Sequence, residues 1–415
     1  MSATDRIVVT GIGATTPLGG TAPETWEGLL AGRSGARPLE EDWVEGYGLP
    51  VTFAARLATP PTEVLKKVEI RRCDPFTQYA LIAAREAWED AGAPDVEPER
   101  FGVAVGTGIG GVHSLLDQYD VLKEKGPRRI YPLTVPMLMP NAAAGFLSLE
   151  FGARAGAHST VSACSSGAES MGYGADLIRK GRADIVIAGG SEAAIHPLPI
   201  SGFAAAHALS TRNDDPQAAS RPWDNGRDGF LLAEGAGIIV LESYEHAMAR
   251  GAKIYGELAS VGMSADAYHI TAGEPEGKGA ARAMTEAVQL ADVSLTDIKH
   301  INAHATSTPV GDAAEAAAIR RAFGEHASSI ALTGTKSMTG HLLGAAGALE
   351  TVIAIQTVHH RTIPATINLD ERDEQFADLD IVHGEPRALP DGDVAVLNNS
   401  FGFGGHNIAV VVKNV

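Results

Sequence analysis

The chain has 415 residues, 45% of them hydrophobic and 20% charged, with a formal net charge of -18. That is enough apolar material for a large core spread over two or three domain-sized units, and the negative charge excludes nucleic acid and anionic membrane surfaces as main partners. Cys73 and Cys164 are the two cysteines, too few for a disulfide framework or a multi-cysteine metal site; with Asp5 and Arg6 beside a short N-terminal apolar run, a cytoplasmic protein is expected.

In chain order, IVVTGIGATTPLG predicts a strand, a glycine turn and a helix start, continued by the amphipathic APETWEGLLAG. Residues 74–92 predict a helix closed by Gly92. FGVAVGTGIGG predicts a strand into a glycine-rich turn, ADIVIAGGSEAA a second, and GAGIIVLESYEHAMARG a strand followed by a helix. After about residue 256 the alternation restarts with GELASVGMSADAYH and a helix over 278–291, then continues to VAVLNNSFGFGGHNIAVVVKNV. A β-run entering the helix near Cys164 parallels one entering TKSMTGH and the helix near His341. The expectation is an α/β protein of two similar halves, 1–255 and 256–415, sharing one body because no Pro/Ser linker separates them. The 47 glycines fit close helix-on-sheet packing.

The chemistry centres on VSACSSGAESMGYGADLIRKG. It places Cys164 where a β-run gives way to a helix, and unpaired N–H groups and the dipole at a helix start stabilise a thiolate. From this segment alone Cys164 is either a low-pKa nucleophile or a small packed side chain. His304 in NAHATSTPVGD and His341 in KSMTGHLLGAAGALE each follow a short β-run, and reactive groups in α/β sheets gather at strand carboxyl ends. Lys66, Lys67, Arg71 and Arg72, with Arg128 and Arg129, form two basic clusters that would ordinarily be solvated surface.

These residues carry a resemblance. SACSSG, NAHATSTPVGD, KSMTGHLLGAAGALE, RPWDNGRDGF and SFGFGG, in this order apart from RPWDNGRDGF between the first two, make the chain similar over nearly its full length to elongating β-ketoacyl-acyl-carrier-protein synthases of the synthase II type. The resemblance implies the thiolase fold, two βαβαβ-type halves in a five-layered αβαβα arrangement. It implies decarboxylative Claisen condensation of an acyl chain held on Cys164 with malonyl-acyl-carrier protein, giving 3-oxoacyl-acyl-carrier protein and carbon dioxide in fatty acid elongation, without metal or cofactor. Under it, His304 and His341 hydrogen-bond the malonyl thioester carbonyl, and the N–H groups of Cys164 and Phe403 form the oxyanion hole. Lys336, paired with Glu350, is either electrostatic support or a structural ion pair. Asp312 and Glu315 orient the histidine loop. Phe403, flanked by Gly402 and Gly404, gates the cavity. Ile109 and Phe203 line the chain pocket or pack in the core, and Thr306 and Thr308 bind the phosphopantetheine arm. The basic clusters become docking candidates for an acidic acyl carrier protein in its acyl and malonyl forms, and a homodimer is implied. His207 stands where the family often has arginine, which bears on docking.

The same residues bear on other classes. GTGIGG at 106–111 formally matches G-x-G-x-x-G, making an NAD(P)-dependent oxidoreductase an alternative, but no acidic strand end follows at the expected distance. A degradative thiolase needs a second cysteine near NNSFGFGGHN, and a starter enzyme of the synthase III type would carry asparagine at position 341. A chain-length-factor-like partner would lack Cys164. The ketosynthase subunit of a type II polyketide pathway remains the close alternative.

Overall fold

Uninterrupted Val, Ile, Ala and Gly runs give strands buried on both faces, which only helices on each side can cover. The computed structural model describes residues 6–415, so Asp5 lies outside the described residues. The first half supplies β1 (Ile7–Thr15), β2 (Phe101–Gly106), β3 (Gly156–His158), β4 (Ile185–Glu192) and β5 (Gly235–Ser243). The second supplies β6 (Gly256–Ala265), β7 (Ile298–Asn302), β8 (Ala331–Thr333), β9 (Asp380–Ile381), β10 (Ala395–Gly402) and β11 (His406–Lys413).

The strand order repeats. The first run reads β1-β5-β4-β2-β3 and the second β6-β11-β10-β7-β8, with β9 added at its edge. In both runs the first two pairings are antiparallel and the next two parallel. The runs join only where Val8 faces Glu257 and Val9 faces Gly256.

Five helices set the layers: α1 (Pro75–Asp90), α2 (Ser166–Arg179), α3 (Lys278–Leu290), α4 (Pro309–Phe323) and α5 (Ala346–His360). Helix α1 covers β1, β5 and β4 from outside, while α3 packs on β6 and β11 and against α4. Helices α2 and α5 touch each other and strands of both runs, so they form a shared middle layer. This is the αβαβα arrangement of the thiolase fold. Every residue of α5 from Ala346 to Val358 is buried, as its sandwiched position requires. Among the described residues no helix is long and apolar enough to cross a membrane.

Local expectations differ from the structure in three places. β1 runs straight through Gly11 and Gly13, with an irregularity between Val9 and Gly11, instead of turning there. Those glycines serve close approach: a Cβ on Gly13 would lie 2.0 Å from the Ala83 carbonyl oxygen of α1. The run before Cys164 pairs as a strand only over Gly156–His158, and a 3₁₀ turn, Ala163–Ser165, carries the cysteine. His341 does not end a strand. It follows the short helix Lys336–Thr339 and bridges in parallel to Leu232.

Gly13→Ala must push two backbones apart and is expected to cost about 3 kcal/mol or more. Gly46→Ala, in a helix with nothing within 4 Å, should be neutral or stabilising by up to about 1 kcal/mol. Urea denaturation of both variants checks the contrast, and equal losses would contradict the packing argument.

Candidate active site

Two sharp turns face each other across the middle layer. Ala163 takes φ +50° in the turn before α2, and Leu343 takes φ +49° in the 3₁₀ turn Leu343–Ala345 before α5. Non-glycine residues in this region store of order 1–3 kcal/mol each and persist only where surrounding packing over-determines them. Here that packing is backbone against backbone: a Cβ on Gly167 would lie 3.0 Å from the Gly344 carbonyl oxygen and 2.6 Å from the Ala348 Cβ. The first turn presents Cys164. The second presents Gly344 at the corresponding place.

Cys164, His304 and His341 line one cavity of about 480 Å³. Two imidazoles from the second half thus share a chamber with the thiol of the first. The His304 and His341 ring centroids are 5.4 Å apart with planes at 87°. Phe230 packs edge-on to His341 at 5.2 Å, and Phe401 tilts against His304 at 5.6 Å.

The histidines are held from behind. Glu315 of α4 accepts hydrogen bonds from His304 N and Ala305 N, both at 2.8 Å, and from Asn399 Nδ2 at 2.9 Å. Asp312 accepts from Ser307 N and Trp223 N. Ala305 and Ser307 have positive φ, +34° and +69°, so these two carboxylates fasten a strained loop. The RPWDNGRDGF segment braces it further, Arg221 N donating to Ser307 Oγ and Gly229 N to its carbonyl. His341 is pinned through its backbone, donating to Leu231 O and accepting from Ala233 N.

Behind the cavity, Lys336 Nζ donates to Glu350 Oε1 at 2.5 Å with both side chains almost wholly buried. Removing one partner of such a pair costs roughly 3–5 kcal/mol, because the other is left as an uncompensated charge. Burial pushes the Glu350 carboxyl up to about 7, against the pull of Lys336. Burial, then the Lys336 charge, holds both imidazoles well below the ordinary histidine range, so they are neutral. Their Nδ1 atoms are buried without a hydrogen-bond partner.

The thiol departs from its sequence expectation. Burial pushes Cys164 up to about 12, outweighing Lys336 and the backbone N–H groups of Phe403 and of Cys164 itself, which bond the sulfur. The resting site is therefore a neutral thiol beside neutral imidazoles. A helix start lowers a thiol pKa only when the sulfur stays solvated, and this one is sunk between two halves.

Of the remaining sequence candidates, Phe203, Thr306, Thr308, Gly402 and Phe403 also line the cavity. Thr306 and Thr308 hydroxyls are 2.9 Å apart. Phe403 is 39% exposed at the turn joining β10 to β11, where Gly404 and Gly405 take positive φ and Gly404 N bonds Ile270 O. Ile109 lies off the cavity and is 40% exposed. Lys66, Lys67, Arg71, Arg72, Arg128 and Arg129 are exposed and form no ion pair among the described residues. His207 is exposed at φ +53° and reaches the cavity lining.

Sequence reading passed over Glu192. Its buried carboxylate takes Gly108 N, Ile109 N and the Thr107 hydroxyl, so the donors of the GTGIGG turn are already filled from within. That removes the physical basis for pyrophosphate binding there. The available signal was a glutamate closing the otherwise uncharged strand IVIAGGSE.

Two β-ketoacyl synthase family models, for its N-terminal and C-terminal domains, match residues 4–247 and 255–370. The 3-oxoacyl-[acyl-carrier-protein] synthase 2 of Coxiella burnetii is 45% identical over 413 residues, 99% of each chain. That of Synechocystis sp. is 45% identical over 411 residues, 98% of each chain. Among solved structures, a type II polyketide ketosynthase, in complex with its acyl-carrier protein and bound to a hexaketide, superposes with a TM-score of 0.90 at 35% identity, covering 99% of both chains. The chain, with its paired turns, half-buried thiol and facing imidazoles, belongs to the β-ketoacyl synthase family.

Proposed function

We propose that the chain condenses an acyl chain with malonyl-acyl-carrier protein to give 3-oxoacyl-acyl-carrier protein and carbon dioxide, in fatty acid elongation. The observation that carries this reading is the convergence of Cys164, His304 and His341 on one cavity. Cys164 Sγ attacks the acyl thioester carbonyl, its proton leaves with the departing carrier thiol, and the oxyanion meets the N–H groups of Cys164 and Phe403. Malonyl thioester then loses carbon dioxide, and the resulting enolate attacks the acyl-cysteine and releases the Cys164 sulfur. A neutral imidazole keeps one N–H to donate, which suits His304 and His341 to stabilise the enolate oxygen as charge develops. Lys336 supports this charge from behind, and Glu350, Asp312 and Glu315 act through the groups they hold. Phe403 gates entry, with Thr306 and Thr308 along the pantetheine path and Phe203 bounding the acyl pocket, while Ile109 lies off this cavity. The 45% identity to 3-oxoacyl synthases, against 35% to the polyketide ketosynthase, favours fatty acid elongation over the polyketide reading.

The repeated strand order supports dividing the chain at 255, residues 1–255 supplying the nucleophile and 256–415 the histidines and gating loop. The exposed clusters on the helix Lys67–Arg72 and the turn Pro127–Arg129 are the carrier-docking surface, and His207 adds a titratable group at the cavity rim. Asp74 ties their supports together, capping α1 at Phe76 N and accepting from Ser114 N of the helix leading to Arg128. Edge strand β3, with Val135, Met139 and Val161 exposed nearby, is the surface for a second copy of the chain.

Three measurements check this reading. In a mass-spectrometric assay with purified carriers, Cys164→Ala abolishes condensation, and Arg71→Glu with Arg72→Glu raises KM for the acyl carrier about tenfold while leaving acyl-pantetheine turnover unchanged; full activity of the alanine variant refutes the assignment. Because both imidazoles are held neutral by burial, protonation sets in well below the ordinary histidine range. The His304 and His341 ring resonances should therefore show no titration by NMR between about pH 8 and 6, and a midpoint at an ordinary histidine pKa would contradict the burial argument. Light scattering should give twice the chain mass at micromolar concentration, and a persistent monomer would rule out the proposed β3 surface.

A further inference from the structure

Gly344 sits where the second half would carry its own nucleophile, and its N–H is already occupied. Glu192, at the end of β4 in the first half, is wholly buried and places Oε2 3.0 Å from Gly344 N and 2.7 Å from Gly108 N. Oε1 takes the Thr107 hydroxyl at 2.9 Å and Ile109 N at 3.3 Å. The fit is close enough to forbid a side chain at either glycine. A Cβ on Gly344 would lie 2.1 Å from Gly108 N and 2.7 Å from Glu192 Oε2, and a Cβ on Gly108 would lie 2.7 Å from the same oxygen. No lysine or arginine pairs with Glu192 among the described residues. The Ala163 carbonyl oxygen would be 3.4 Å from that Gly108 Cβ, so the clamp stands directly behind the turn bearing the thiol.

We propose that Glu192 is a positioning residue for Cys164: it locks the 107–109 turn of one half to Gly344 of the other behind the thiol, and its buried charge, opposite in sign to that of Lys336, sets the electrostatic balance at the sulfur. The assignment rests on the reading of Cys164 as nucleophile. Both charges act on the sulfur, Lys336 favouring its ionisation and Glu192 opposing it. Desolvation holds the proton on the sulfur and a charged Glu192 adds to that hold, so the empty enzyme resists alkylation and oxidation and gives the proton up only when a thioester is attacked.

The test reads iodoacetamide alkylation of Cys164 in the full chain against pH, by mass spectrometry. Glu192→Gln removes the like charge, so the alkylation midpoint should fall by about one pH unit. At a fixed pH below the midpoint the rate should rise about threefold, the gain in thiolate being partly offset by its lower nucleophilicity. Glu192→Asp keeps the charge and should stay near the unsubstituted chain. An unchanged or higher midpoint in Glu192→Gln overturns the proposal. If Glu192→Gln does not fold, the Glu350→Gln chain decides: log rate against pH should bend below unit slope near 7, where burial places the Glu192 carboxyl, and a straight line overturns the proposal. Alkylation needs no carrier protein, so it reads the Glu192 effect even if Cys164 proves unable to accept an acyl chain, which would sink the functional reading alone.

Discussion

The site depends on one contact, the close approach of two helix-start turns that belong to different halves. A Cβ on Gly167 or on Gly190 would lie 3.0 Å from the Gly344 carbonyl oxygen, so the turn bearing Cys164 and its counterpart before α5 approach too closely for a side chain to stand between them. That approach brings the thiol of one half under the histidines of the other. It also takes most of the water from around the sulfur, which is left half-buried at the cavity wall.

Drying decides the electrostatics. In water a thiol at a helix start would ionise readily; here it holds its proton, and the same burial pushes the carboxyls of Glu192, Asp312 and Glu350 up to about 7. The same burial strips the proton from both imidazoles. Lys336 meets the charge that a substrate introduces in a medium where its field is weakly screened. Glu315 and Asp312 keep the geometry by taking the N–H groups of a loop that two non-glycine residues hold at positive φ.

Much of this was legible in the residues. Alternating apolar runs gave the α/β class and the restart after residue 256, and the motif order gave the thiolase fold and its family. Reactive side chains such as Cys164, His304 and His341 can be read because few other residue types do their chemistry. What escaped was whatever depends on an approach distant in sequence. Gly11 and Gly13 read as a turn because nothing in β1 announces the helix α1 backbone pressing on them. The Cys164 pKa read low because local sequence shows a helix start and not the enclosure around it. Glu192 was passed over because its four donors come from segments up to 152 residues away. His341 looked like a strand end because its partner, Leu232, lies outside its own half.

The two sheet runs are stitched by just two residue pairs, Val8 with Glu257 and Val9 with Gly256. Cohesion between the lobes therefore comes from the helices sandwiched between them, and neither lobe owns a finished interior. Severed from its twin, each would bare the small and apolar side chains of the middle layer to water. Such an architecture makes the two lobes an obligate pair, and the glycines where they meet admit no added bulk, since a Cβ on Gly347 would fall 2.4 Å from the Ser400 hydroxyl.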